Sequence, residues 1–279
     1  MAYGRHAYPT TGANVSQPTY KEELLGIIEA DWERDPRTLQ RRIGPSGIGH
    51  PCNYCLGAQL AEVTKVEDKK WADGWPAFLG KAVHYAIEKV FERWNRKHFT
   101  MRFLTEQRVN VGRVGTINGF DLTGSSDLYD MVRKAVVDWK VTTDKNLAKV
   151  KAAGKSEIYK VQGHVYGLGM ENLGLTVEQI GVMYLPKMKN FIREAEFVTE
   201  PYNRQIALDA LKRASDIWDL GQQYGWGYIL PRLKHADGCW DCTKYAAGVQ
   251  ALMDEHDAQL RANAAGHTDE NPEAVEATA

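Results

Sequence analysis

The chain is poor in cysteine, in long apolar runs and in net charge, and each shortage narrows what it does. Only four cysteines occur in 279 residues, all in two pairs, Cys52-x-x-Cys55 and Cys239-x-x-Cys242. In a cytosolic chain that pattern argues for a four-thiolate metal site over disulfides, since scattered structural disulfides belong to oxidising compartments. Nowhere does an apolar stretch approach the roughly 18 residues of a membrane span. The first twenty residues carry no apolar run of signal-peptide type, so the expected location is the cytoplasm. A net charge of −1 excludes a polycation, and any nucleic-acid binding must come from local patches. There is no internal repeat.

What is present is an ordinary globular mixture, 43% hydrophobic and 25% charged. Residues 1–45 read as a flexible arm followed by a helix. Thr19 and Glu22 form a capping-box pattern there, ahead of the apolar residues Leu24, Leu25, Ile27, Ile28 and Trp32, and Pro36 limits the helix. Residues 46–246 read as one domain, opened by a chain break at Gly44 to Gly47 and a short helix over 56–63. Its lobe of residues 46–75 plus 226–246 carries the cysteines. Residues 247–279 read as a helix end and an acidic tail, disordered after Met253 for want of an apolar period.

Within the domain, Leu79, Val83, Ile87, Val90 and Trp94 recur at helical spacing over 76–98. Strands follow over 103–111 and 120–132, with a turn at Asn118-Gly119, and then over 134–141. A long helix over 147–170 is interrupted or closely packed at Gly154 and Gly163. Strands over 179–185 and 191–198 come next, and a helix marked by Tyr202, Ile206, Ala210, Ala214 and Ile217 follows. The order gives an α/β (α+β) sheet domain whose mixed sheet is flanked by helices.

The second and third strands carry the chemistry. A hairpin centred between Val132 and Arg133 places Asp127 directly opposite Asp138, and like charges so placed destabilise a sheet. Lys140 shares a face with Asp138, while Val137 and Trp139 point into the core. A solvated strand face with a surface ion pair also accounts for these residues. A divalent cation accounts for more, because magnesium is held by one or two carboxylates and keeps open positions for water and phosphate oxygens.

Gly124-Ser125-Ser126-Asp127, then Asp138-Trp139-Lys140 on the next strand, resembles the signature of the PD-(D/E)XK nucleases. His84 on the preceding helix and Gln162-Gly163-His164-Val165-Tyr166 on the following one resemble the additional motifs of the RecB-like branch. Ser126 stands where the signature has proline, and Asp138 serves as its variable acid. The resemblance implies a restriction-endonuclease-like core in which Mg²⁺ or Mn²⁺ is held by His84, Asp127, Asp138 and the Trp139 carbonyl. It further implies that Lys140 orients or activates the attacking water, that Glu106 supports the metal, and that Gln162 and Tyr166 reach the same cleft.

Cysteines bracketing such a core resemble the iron-sulfur RecB-like exonucleases, including the CRISPR-associated family and phage-encoded relatives. That resemblance implies a [4Fe-4S] cluster on Cys52, Cys55, Cys239 and Cys242. The two-plus-two spacing departs from the usual one-plus-three and keeps Zn²⁺ as the alternative. Either would clip the two ends of the domain together. The implied activity is a metal-dependent DNA exonuclease acting on single-stranded or resected ends, alongside recombination or replication proteins. The alternatives are a structure-selective endonuclease and a non-catalytic DNA-binding subunit. Lys145, Lys149, Lys151, Lys155 and Lys160, with Arg93, Arg96 and Lys97, are the candidate phosphate contacts. Trp71, Trp75, Trp226 and Tyr228 are candidate stacking groups, against the commoner fate of core packing.

Overall fold

The computed structural model describes residues 19–34, 42–66, 74–154 and 156–266. The expected N-terminal arm, Trp71, Lys155 and the chain from residue 267 onward lie outside the described residues. Two units divide the chain, residues 1–40 and 41–279. The first contains helix α1, Tyr20–Arg34. Its start is a capping box: Glu22 N–H donates to Thr19 Oγ1 at 3.3 Å and Thr19 N–H donates to Glu22 Oε2 at 2.7 Å.

The second unit is built on a five-stranded mixed sheet in the order β1-β2-β3-β4-β5. Its strands are β1 Phe103–Val114, β2 Phe120–Asp130, β3 Ala135–Thr142, β4 Gln179–Pro186 and β5 Glu196–Pro201. Only β3 and β4 pair in parallel. Their crossover consists of α5 Asp144–Ala153 and α6 Glu157–Asn172. These are two helices rather than one over 147–170, because Gly154 takes φ 75° and ends the first. Gly163 is instead a packing glycine: a Cβ there would lie 2.7 Å from Ile180 Cδ1 on β4.

The main core lies where α6 and α7, Arg204–Tyr224, cover the sheet, with Val109, Leu122, Val136, Val165, Ile180 and Ile217 at its centre. Another apolar cluster joins Leu128, Val137, Trp139 and Leu185 to Val83, Ile87 and Phe91 of α4, Trp75–Lys97. The inward stripe of α4 therefore runs through Phe91, whereas Val90, expected inside, is 50% exposed.

A smaller helical lobe packs Tyr54, Ala58, Leu230, Tyr245 and Val249 around the buried Cys52 and Cys55. It draws on α3 Asn53–Leu60, the one-turn helix α8 Trp226–Ile229 and α9 Cys242–Gly266. Three expectations are corrected here. Residues 45–48 form the one-turn helix α2 instead of a break, since Pro45 suits the first helical position. Helix α9 continues past Met253 to Gly266, where disorder was expected. The strand expected over 191–198 begins at Glu196, after a 3₁₀ turn Ile192–Glu194.

Candidate active site and four-cysteine site

The geometry of the site is set by the β2–β3 turn. Leu128 pairs with Val137, Tyr129 with Val136 and Asp130 with Ala135, a register that ends one pair short of Asp127 and Asp138. Asp130 secures it: its Oδ1 accepts from Val132 N–H at 2.9 Å and Arg133 N–H at 3.1 Å, an Asx turn that replaces the usual glycine chemistry. Arg102 grips the same carboxylate with Nε at 3.0 Å and a terminal nitrogen at 2.7 Å.

On the other side of β2, the pairs Thr105–Leu128 and Gln107–Ser126 leave Glu106 opposite Asp127 without a ladder pair between them. Glu106 holds φ 46°, an unfavourable conformation for a residue with a side chain. Three adjacent strands thus carry a row of acids, Glu106, Asp127 and Asp138. Ligand atoms of His84, Glu106 and Asp127 all lie within 4.8 Å of one another. His84 Nδ1 is 3.4 Å from Asp127 Oδ2, which also accepts the Trp139 backbone N–H at 2.8 Å.

Asp138 is held separately. Its Oδ1 accepts from Gln162 Nε2 at 2.7 Å, and its Oδ2 lies 2.7 Å from Lys140 Nζ. Burial pushes the Asp138 carboxyl up to about 6, opposed by Lys140 and reinforced by the Asp127 charge. For His84 burial works downward, but the Asp127 hydrogen bond and the charges of both aspartates raise it above the ordinary value. Two oxygen donors and an imidazole at this spacing fit a divalent cation.

Of the residues singled out in the sequence, His84, Glu106, Asp127, Asp138, Lys140 and Gln162 come together. Trp139 enters through its backbone N–H, while its ring stacks on Phe91 with centroids 5.7 Å apart. Tyr166 is buried in the main core, its hydroxyl beside Gly124, where an added Cβ would approach it to 3.2 Å. Trp226 is likewise part of the packed core, and Arg232 lies 3.7 Å from the ring centre of Tyr228.

The four cysteines converge from opposite ends of the domain. Sγ–Sγ separations are 3.6 Å for Cys52–Cys242, Cys55–Cys239 and Cys55–Cys242, and all four sulfurs lie within 4.8 Å of one another. Cys52 is the N-cap residue of α3 and Cys242 the first residue of α9, so the two sit at helix starts. Burial and the neighbouring thiols push Cys55 up strongly and Cys242 up to about 12, as expected of thiols too crowded to ionise together without a cation. His235 was not foreseen: its Nδ1 is 3.1 Å from Cys242 Sγ, and its ring stacks on Tyr54 at 4.2 Å. Its position four residues before Cys239 is the only signal the sequence offers.

No family model matches the chain, and no curated protein matches it. Among solved structures it is similar to a candidate exonuclease from Eubacterium rectale, at 13% identity and TM-score 0.40, covering 81% of this chain and 92% of that one. A phage-related exonuclease from Haemophilus somnus 129PT matches at 16% identity and TM-score 0.35, covering 63% of this chain and 78% of that one. Likenesses this distant decide no chemistry, and the functional reading rests on the site itself.

Proposed function

We propose that the chain is a metal-dependent DNA exonuclease that hydrolyses phosphodiester bonds at single-stranded or resected ends. The observation that carries this reading is the row Glu106, Asp127, Asp138 on three adjacent strands, flanked by His84 and Lys140. Side-by-side carboxylates are unfavourable in a sheet unless a cation sits among them. In the proposed site His84, Glu106 and Asp127 hold Mg²⁺ or Mn²⁺, with Asp138 and the Trp139 carbonyl completing the set. Such an ion supplies Lewis-acid polarisation of the phosphate and acidifies a bound water.

The chain's own groups do the rest. Lys140, held by Asp138, orients the attacking water and offsets charge developing on the phosphate oxygens. Gln162 fixes Asp138 from α6, leaving its second oxygen for Lys140. Water adds to phosphorus and gives up a proton to solvent as the ester P–O bond breaks, and the leaving oxygen takes a proton from solvent.

For the four cysteines the proposal is a single tetrahedral ion, with Zn²⁺ the fitting choice. Four sulfurs at about 2.3 Å from one zinc stand about 3.8 Å apart, close to the separations here. The [4Fe-4S] cluster implied by the resemblance binds each sulfur to a different iron, which spreads them further, so the 3.6 Å separations favour zinc over it.

The test incubates linear and circular DNA, single-stranded and duplex, with Mg²⁺ or Mn²⁺ and either the wild type or Lys140→Ala. Linear substrates are expected to be degraded to nucleotides by the wild type, with a loss of at least a hundredfold in Lys140→Ala. Cleavage of circles makes the protein an endonuclease, and absence of metal-dependent cleavage leaves a DNA-binding subunit.

A further inference from the structure

Beside the acid row the domain has a cavity that the hydrolytic step does not use. It measures about 500 Å³ and lies between the ends of β3 and β4 and the α5–α6 corner, walled by Lys140, Thr142, Asn146, Lys149, Tyr159 and Tyr184. That volume falls within the range of small-ligand sites. No acidic residue lines it. Among the described residues Lys149 makes no ion pair, and Lys140, already paired with Asp138, closes the end nearest the candidate active site.

Tyr184 is the second observation. It is 3% exposed, yet its hydroxyl has no hydrogen-bond partner among the described residues. The Ser156 backbone N–H faces it and acts against the rise in pKa that burial causes, at a geometry too poor for a full hydrogen bond. A buried hydroxyl without a good hydrogen bond is unfavourable, and a bound ligand is one way to satisfy it. Tyr184 is the β4 partner of Lys140 in the parallel ladder, so the hydroxyl sits one strand away from the lysine of the acid row. Val141 and Val150 supply an apolar wall.

Resting on the nuclease reading, we propose that this cavity is a mononucleotide subsite: it takes the nucleotide adjoining the scissile phosphodiester. Lys149 meets its phosphate, Tyr184, Asn146 and Thr142 hydrogen-bond its sugar and phosphate oxygens, and the valine wall takes the base. Lys149 then does more than add to a diffuse basic helix, because it acts on one nucleotide at a fixed distance from the cleaved bond. The subsite makes a deoxynucleoside 5′-monophosphate a ligand in its own right.

The experiment measures binding of dAMP and dTMP by calorimetry without divalent metal, and separately the kinetics of oligonucleotide degradation with Mg²⁺. The wild type is expected to bind a monophosphate, with a loss of about tenfold in Lys149→Ala and two- to threefold in Tyr184→Phe. Lys149→Arg should recover most of the affinity. Lys151→Ala, an exposed residue of α5 outside the lining, should leave mononucleotide affinity as it is. In the kinetics Lys149→Ala should raise KM five- to tenfold with kcat within twofold. Equal mononucleotide binding by wild type and Lys149→Ala overturns the subsite even if DNA is degraded, and so does equal loss in Lys149→Ala and Lys151→Ala. Absence of DNA cleavage by a protein that still binds monophosphates through Lys149 overturns the nuclease reading and keeps the subsite.

Discussion

Replacing Cys55 by serine, or stripping the metal with a chelator, should weaken the whole domain and not the small lobe alone. Cys55 and Cys239 lie 184 residues apart in the chain with sulfurs 3.6 Å apart, so the loop they close contains every strand of the sheet. A cross-link closing a loop of that length removes about 5 kcal/mol of unfolded-state entropy in the chain-entropy model. Folded domains are stable by only about 5–15 kcal/mol, so this clip is a large share of the whole. The assay is urea unfolding followed by circular dichroism, for wild type with zinc, wild type after chelation, and Cys55→Ser. Chelation and substitution should each lower stability by about 5 kcal/mol, and added zinc should restore only the wild type. An unfolding midpoint unmoved by chelation would refute the clip. Iron and acid-labile sulfide in equal amounts, with a visible charge-transfer band, would refute the single-ion reading and restore the cluster.

Gln162→Ala should remove a hydrogen bond of roughly 1.5–3 kcal/mol from a buried carboxylate, raising the Asp138 pKa by a unit or more. The acid limb of the pH–rate profile should move to higher pH by that amount. Asp138→Asn should stabilise the metal-free protein at pH 7. The folded pKa is raised to about 6, above the unfolded value of about 3.9, so the wild type loses stability as pH rises between the two, on the order of 2–3 kcal/mol. Thermal unfolding in chelator and in millimolar Mg²⁺ checks this, with Mg²⁺ expected to favour the wild type more. Asp130 has the opposite sign. Burial would raise its pKa, but Arg102 and the turn amides hold it below the ordinary value, so its contribution is full above about pH 4 and lost as pH falls. Asp130→Asn should therefore be destabilising at pH 7, with an effect that shrinks as pH falls below about 4 in urea unfolding.

Much of the site was legible because it depends on period-two strands and on one turn. Alternation over 134–141 put Trp139 and Asp138 on opposite faces, as found, and a hairpin centred between Val132 and Arg133 is the observed one. Asp130, the single good turn former there, suffices because its carboxylate takes two backbone N–H groups. Two cysteine pairs imply one site whatever the fold between them. What was not legible depends on tertiary placement. Phe91 and Val90 are neighbours with equal claim to the α4 stripe, and only the sheet position chooses Phe91. Gln162 meets Asp138, while Tyr166, one turn on, is buried in the main core, a burial that the spacing alone does not announce. The φ of Glu106 has no signature in its neighbours, so its carboxylate could be placed only by the fold.

The acid row is a conflict the chain has kept rather than solved locally. The members are held differently: Asp127 takes a backbone N–H and an imidazole, Asp138 takes a lysine and a carboxamide, and Glu106 is placed by a strained φ. Local rules broken together, with the surrounding turn and helix contacts arranged to maintain the breach, mark a site selected for chemistry. The same reasoning separates the two metal sites. On the proposed function, cysteines with a loop of nearly the whole domain between them would serve stability, and carboxylates beside a lysine and a nucleotide-sized cavity would serve turnover. Losing the first should therefore appear in unfolding and the second in kcat, with little exchange between them.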